Sequence, residues 1–432
     1  YSDADVVGAL PLRLLYTIAM YLVVPLFVLR MLARGLRYGD YHLRWRERFG
    51  MFPQPDFADS LWVHAVSLGE VNAAEPLIEA LMRSYPQCPL VITTVTPTGS
   101  ERVRQLFGDR VFHVYLPYDL PLSVRRFLDR VRPRIGIIVE TEIWPNLYFA
   151  CHSRRVPLMI ANARLSERSL RGYAPARALL RSALKCVRYV AAQSRSDAAR
   201  YRLLGADAAG ISVAGNLKFD MPVADNVADD AQRLRQAWGR SRPVWIAAST
   251  HEGEELPILE AHLHVLKRLP DALLLLAPRH PERFHSVEQA VRGLGFRTAT
   301  HSANQVPAPA TQCFIIDAVG ELMSFYAAAD VAFVGGSLVP IGGHNVLEPA
   351  ALARPVLVGR HTFNFADITD TLIAEGAAAR AKQTAELGPM VLALLRDQPR
   401  RERMGAVGHT IFARERGAVG RVMALVAQML ER

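Results

Sequence analysis

Short apolar runs alternate with helix-patterned stretches along most of this chain, and they do so in two series. The first series has candidate strands at 61–67, 90–95, 111–116, 135–139, 158–161, 189–193 and 211–213, with helical patterns at 73–83, 100–107 and 122–130 between them. The runs are rich in Val, Ile and Leu and show no polar alternation, so both faces of each strand are expected to be buried. Strands of that kind, separated by helices, form a parallel sheet covered on both sides. Residues 219–230, FDMPVADNVADD, are polar and acidic and contain a proline, which marks a linker. A second series follows at 244–248, 272–277, 314–316, 331–334 and 356–358. The expected fold class is therefore α/β, with two doubly wound halves and no short-period repeat. A length of 432 residues agrees, since a chain this long divides into domains of ~200 residues each. The closing stretch, 390–432, is helical in character and free of proline after Pro399.

Ahead of the first series lies a different kind of segment. Residues 14–29, LLYTIAMYLVVPLFVL, carry no charge, and the apolar character extends over 10–32 around Arg13 and Arg30. That is roughly the ~20 residues a bilayer helix needs. Arg13 and Arg30 lie near its ends, where long side chains can reach the interfaces. A buried core helix is the alternative, but nothing amphipathic relieves the run. With no small-residue cleavage site evident, it is expected to be a retained signal-anchor. Asp3 and Asp5 precede it, while Arg34, Arg37, Arg44, Arg46 and Arg48 follow. That asymmetry is expected to place the body of the protein on the cytoplasmic side of the membrane. The same arginines form an expected basic patch for an anionic membrane surface. The overall charge of +10 also suits anionic partners. Nucleic acid is not among them, because zinc-finger spacing, stacking aromatics and basic heptads are all lacking. Four scattered cysteines, Cys88, Cys151, Cys186 and Cys313, read as small core residues.

Ligands of parallel sheets bind beyond the carboxyl ends of strands. Six such places carry chemistry here. In VAFVGGSLVPIGGHNVLEPAALARPVLVG, residues 331–359, a strand leads through two glycine pairs into His344, Asn345 and a helix at 346–353. A loop of that design can offer backbone N–H groups to a phosphate, and Glu348 can accept from ribose hydroxyls. The first strand ends in HAVSLGEVNAAEPLIEAL, where Glu70 opens a helix as a dipole-compensating carboxylate or as a general base. The fourth ends in IIVETEIWPN; Glu140 and Glu142, two apart on a strand, are expected on one side with a raised pKa, and Trp144 on a contact surface. GNLKFD places Lys218 near the domain junction. In the second half, Pro278 and Arg279 follow one strand, and Val319, Gly320 and Glu321 follow another. His280, His344 and His361 are too dispersed to argue for a metal.

In order and spacing, these segments resemble the Kdo transferases, which add 3-deoxy-D-manno-octulosonic acid to the lipid A precursor. The motifs carrying the resemblance are RWRERFG, HAVSLGEVNAAEPLI, ETEIWPN, GNLKFD, PRHPERF, VGEL and GGSLVPIGGHNVLEPAA, and with the anchor they cover essentially the whole chain. The resemblance implies a GT-B architecture, two facing Rossmann-like domains with an N-terminal membrane anchor helix. It implies CMP-Kdo as donor, the lipid A precursor (lipid IVA) as acceptor, an inverting reaction of lipopolysaccharide biosynthesis, and no metal or other cofactor. By motif, Glu70 is the catalytic base, with Glu140 and Lys218 assisting the transition state. Pro278, Arg279, Val319, Gly320, Glu321, Asn345, Val346, Leu347 and Glu348 are the donor-binding set. The expected domains are a tail and anchor at 1–35, an acceptor domain at 36–220, a donor domain at 221–405 and a returning helix at 406–432. A nucleotide-sugar epimerase of the same two-domain architecture is the alternative, and a non-catalytic membrane-binding protein a third reading. The anchor and arginine cluster weigh against the first of these, and carboxylates and a lysine at strand ends against the second.

Overall fold

A computed structural model describes residues 10–35, 44–303, 305–318 and 320–431. It divides the chain into two compact units, residues 1–221 with 415–432, and residues 222–414.

The first unit holds a seven-stranded sheet. Its strands are β1 (Ser60–His64), β2 (Leu90–Thr94), β3 (Phe112–Tyr115), β4 (Pro133–Val139), β5 (Leu158–Ala163), β6 (Val187–Ala192) and β7 (Ile211–Val213), in the order β3-β2-β1-β4-β5-β6-β7. Every pairing is parallel. Successive residues serve opposite faces, as a two-residue period requires. Leu61 and Val63 join one core, while Trp62 joins the other; Ile135, Ile137 and Val139 join the first, and Ile138 the second. Trp62 fits because its neighbour on β4 is Gly136, where a Cβ would stand 2.5 Å from Leu158 and 2.8 Å from the indole.

The second unit repeats the plan with β8 (Val244–Thr250), β9 (Leu273–Pro278), β10 (Thr298–Thr300), β11 (Cys313–Ile315), β12 (Val331–Val334), β13 (Val356–Val358) and β14 (Ala378–Arg380). The order is β10-β11-β9-β8-β12-β13-β14, again parallel throughout. Two strands absent from the sequence reading, β10 and β14, are the edges of this sheet. The expected linker is shortened at both ends. Leu217–Asp220 is a turn of 3-10 helix and Val227–Trp238 is already a helix.

The chain returns to the first unit at Glu415. The boundary drawn at 405/406 falls inside the continuous helix Gln398–Glu415. The last helix, Ala418–Leu430, puts Ala418, Val422, Val426 and Met429 into the core of the first unit. The carboxylate of Asp220 accepts from the Gly417 and Val419 N–H groups at its start, at 2.6 and 2.5 Å.

The N-terminal helix, Leu10–Gly35, has a mean hydropathy of 2.1 over Leu10–Leu29. Its two faces differ. On one, Arg13 donates to the Asn146 side chain at 2.9 Å and lies over the Phe149 ring. Tyr16 donates to Asp119 at 2.9 Å, Val24 is buried, and Phe27 stacks on Tyr118. On the other, Leu10, Leu14, Leu15, Ile18, Leu22, Leu26 and Leu29 are exposed. Arg13 therefore does not reach for a lipid interface; the domain's own Asn146 and Phe149 hold it.

The expected arginine patch is also divided. Arg48 is 7% exposed, donates to the Val95 carbonyl and stacks on Tyr115. Arg44 is bound to Glu47 at 2.6 Å and contacts His113. RWRERFG thus works inward at these two positions, because β2 and β3 end in carbonyls and an aromatic ring that need donors. Arg46 is exposed, the side chain of Arg34 is not among those described, and Arg37 lies outside the described residues.

Candidate active site

In the first unit the carboxyl ends of β1, β4 and the chain after β7 supply four charged side chains. Ser67 starts the helix Leu68–Ser84, so Glu70 stands in its first turn. One Glu70 oxygen accepts from the Val66 N–H at 2.7 Å, an intrahelical-entry role that a capping carboxylate also plays. That single bond does not offset its loss of solvent. Burial, followed by the nearby charge of Glu140, pushes the Glu70 carboxyl up to about 8, with Glu142 adding to the effect and Lys218 opposing it. Glu70, Glu140, Glu142 and Lys218 therefore share one electrostatic site.

The two β4 carboxylates reach it differently from the sequence expectation. β4 ends at Val139, and Glu140 has φ of 63°, so the chain leaves the strand there in a left-handed turn. The turn is fixed by Glu140 N–H donating to Ala161 at 2.9 Å and by Tyr201 O–H donating to the Glu140 carbonyl at 3.1 Å. Strand alternation is thus not what brings Glu142 near. Its carboxylate accepts from Trp144 Nε1 at 2.8 Å, and burial pushes it up to about 7. Trp144 is thereby a packed hydrogen-bond donor of this loop. Lys218 follows Asn216, whose side chain accepts the Lys218 N–H at 3.1 Å, and Leu217 N–H is held by the buried Asn162 at 3.0 Å.

In the second unit Pro278 ends β9, and Arg279, exposed, donates its N–H to the Thr250 carbonyl at 3.0 Å. Asn345 donates to Glu348 at 3.2 Å and caps Leu347 N–H at 3.1 Å. Burial raises the Glu348 carboxyl to about 7, against the Asn345 bond and the charge of Arg279. Arg279, Asn345, Val346, Leu347 and Glu348 thus fall in one region. The helix there is shorter than the sequence suggested, Leu347–Ala351. Gly320 has φ of 96° and, with Glu321, lines a cavity of about 640 Å³ together with Trp238, His301 and Phe325. Glu321 meets His301 at 3.1 Å. Val319 lies outside the described residues.

Four residues that carry this second region, His251, Glu254, Glu255 and Arg283, were not singled out from sequence. Glu254, fully buried, accepts from the N–H groups of Gly336 (2.7 Å), Ser337 (3.0 Å), Leu338 (2.8 Å) and His251 (2.9 Å). Of the first glycine pair, Gly336 therefore presents its N–H to a carboxylate of the chain itself, while the Gly335 N–H donates to the Ala248 carbonyl at 2.8 Å. The second pair donates to the Gly336 carbonyl, at 3.1 and 2.8 Å. The glycine-loop reading is corrected accordingly: these N–H groups build the loop and are not open to a phosphate. His251 contacts His344, and Arg283 pairs with Glu255 at 2.8 Å. A carboxylate three residues after a histidine has no motif signature, so only the fold reveals it. No cluster of three or more His, Cys, Asp or Glu side chains suited to a metal occurs among the described residues.

Comparison with known proteins gives these sites a family. The family model described as 3-Deoxy-D-manno-octulosonic-acid transferase (kdotransferase) matches residues 43–221. A 3-deoxy-D-manno-octulosonic acid transferase from Haemophilus influenzae is 41% identical over 97% of this chain and 99% of its own length. One from Bordetella pertussis is 39% identical over 95% of this chain and 98% of its own. Among solved structures, a UDP-GlcNAc 2-epimerase from Neisseria meningitidis bound to UDP-GlcNAc aligns with a TM-score of 0.53 at 15% identity, covering 85% of this chain and 100% of that one. That likeness is one of fold, two parallel-sheet α/β domains of the GT-B kind, and the epimerase alternative has no more than this behind it. Identity near 40% along almost the full length of both transferases decides the matter: the chain belongs to the 3-deoxy-D-manno-octulosonic acid transferase family of glycosyltransferases.

Proposed function

We propose that the chain is an inverting transferase that moves Kdo from CMP-Kdo onto a hydroxyl of the lipid A precursor, lipid IVA. The observation that carries this reading is Glu70 in the first turn of the helix after β1, beside Glu140, Glu142 and Lys218, in a chain 41% and 39% identical to two Kdo transferases; burial and Glu140 raise its carboxyl to about 8. A general base works best when its pKa lies near the operating pH. Glu70 takes the proton of the acceptor hydroxyl as that oxygen bonds to the anomeric carbon. The bond to CMP breaks on the opposite face, its electron pair leaves with the phosphate, and the configuration inverts. Lys218, opposing the carboxylates around Glu70, and Glu140 set the field in which charge develops. Pro278, Arg279, Val319, Gly320, Glu321, Asn345, Val346, Leu347 and Glu348 hold CMP, with Arg279 on phosphate and Glu348 on ribose.

Anchoring belongs to the same proposal. Contacts from Arg13 through Phe27 fasten one face of the N-terminal helix along the first unit. The exposed leucine face then lies in the plane of an inner-membrane leaflet on the cytoplasmic side, where a lipid acceptor is within reach.

Incubation of the full chain with CMP-Kdo and lipid IVA, followed by mass analysis, should show addition of Kdo. Glu70→Gln should lower turnover by roughly 10²–10⁴-fold with CMP affinity retained. Near-parental turnover would transfer the role of base to Glu140.

A further inference from the structure

His251 and His344 come from loops that follow β8 and β12, adjacent strands at the point where the second sheet reverses its direction of growth. That crevice is where doubly wound sheets bind ligands. The approach of the two loops depends on Gly335, where a Cβ would stand 2.6 Å from the Ser249 carbonyl oxygen. The two Nε2 atoms are 2.7 Å apart. The ring planes differ by 3° with centroids 5.0 Å apart, so the rings meet edge to edge in one plane, joined by one N–H···N bond.

That geometry fixes the proton count. One ring donates from Nε2 and, when neutral, has a bare Nδ1. The other accepts at Nε2 and carries its proton on Nδ1. One further proton can be added, at the bare Nδ1, without breaking the bond, and it converts the bond to a charge-assisted one. A second would place two cations face to face.

We propose that the His251–His344 pair is a proton-loading subsite for the anionic part of the donor, taking up one proton from solvent as the nucleotide phosphate binds. This rests on the reading of Arg279 and Asn345–Glu348 as the donor site.

The groups around the pair support it. Arg279, His280 and Arg283 act on His251 from the chain after β9, with the His280 ring 5.2 Å away. Glu255 offsets them in part but is itself paired with Arg283, and Glu254 is occupied by four N–H groups. Arg279 and His280 act on His344 as well. Burial and these cations hold His344 at about 3 and lower His251, so the empty pair is neutral near pH 7. An anion beside it reverses the balance and stabilises the imidazolium.

The test is calorimetric titration of CMP into the full chain at pH 7.5, in two buffers of different ionisation heat. The heats should differ by uptake of about one proton per CMP, and affinity should fall roughly tenfold per pH unit above neutrality. His251→Gln and His344→Gln should each abolish the uptake and flatten the pH dependence while the protein stays folded by circular dichroism. Binding of CMP without proton uptake, or uptake that survives either substitution, would overturn the proposal and leave the donor-site reading standing. A folded protein that binds no CMP would overturn both.

Discussion

Burying a carboxylate without partners costs several kcal/mol, and Glu254 and Glu70 meet that cost in opposite ways. Glu254 sits among four backbone N–H donors and so fixes the glycine loop. Glu254→Gln would turn an amide NH₂ toward those donors and leave some of them unsatisfied. A loss of about 2–4 kcal/mol is expected, which lowers the melting temperature of the second unit by about 2–4 °C per kcal/mol. Calorimetric melting of the variant checks this; an unchanged transition would mean that water replaces the carboxylate without cost. Glu70, with one backbone donor and Glu140 and Glu142 as neighbours, is left with a raised proton affinity, the property that the proposed base requires. Residue types and strand ends made Glu70, Glu140 and Lys218 readable in advance. Glu254, Asp119 and His251 were not, because each acts through a neighbour that only the fold supplies.

Among the elements, the apolar core of each sheet was legible because strands buried on both faces are long uninterrupted runs. The edges β10 and β14 were not, since their three residues, TAT and AAR, include no Val, Ile or Leu, whereas the equally short edge β7, ISV, was read from its apolar residues. The N-terminal helix was legible as apolar but not as two-faced. Arg13, Tyr16 and Thr17 look like flaws in a membrane span; they are its means of attachment, all three meeting Asn146 or Asp119. Asp119 joins that helix to another, since its carboxylate also accepts from the Asn146 and Leu147 N–H groups at 3.0 and 2.8 Å. We infer that a helix held at both Arg13 and Phe27 runs along the domain and keeps its N-terminus on the domain's side of a bilayer. A cysteine placed at Leu10 should therefore react with an impermeant thiol reagent from the same side of a vesicle as the catalytic units. Labelling from the opposite side alone would restore a spanning anchor.

For the molecule as a whole, the buried titratable groups predict how stability follows pH. Burial raises Glu70 to about 8, Glu142 and Glu348 to about 7, and Asp119 to about 6. Each binds its proton more tightly folded than unfolded, so each contributes stability that is present at low pH and lost as pH rises through its folded value. Burial lowers His64 and His262 to about 4, and His113 and His344 to about 3. For these the unfolded chain binds the extra proton, so stability is lost as pH falls from the ordinary histidine range through those values. From about pH 4.5 to 6.5 the two sets oppose one another. Above that window only the carboxylates still titrate, and stability should decline toward pH 8. The decline should be steeper in the first unit, which holds Glu70 and Glu142, than in the second, which holds Glu348. Glu70→Gln removes the group that titrates last. It should raise the first transition by about 2–4 °C at pH 8.5 and leave it nearly unmoved at pH 5, while turnover falls. Melting curves at the two pH values decide it. An equal shift at both would mean that Glu70 is ionised throughout, and with that the argument for its raised proton affinity, and for its role as a base poised near neutrality, would fail.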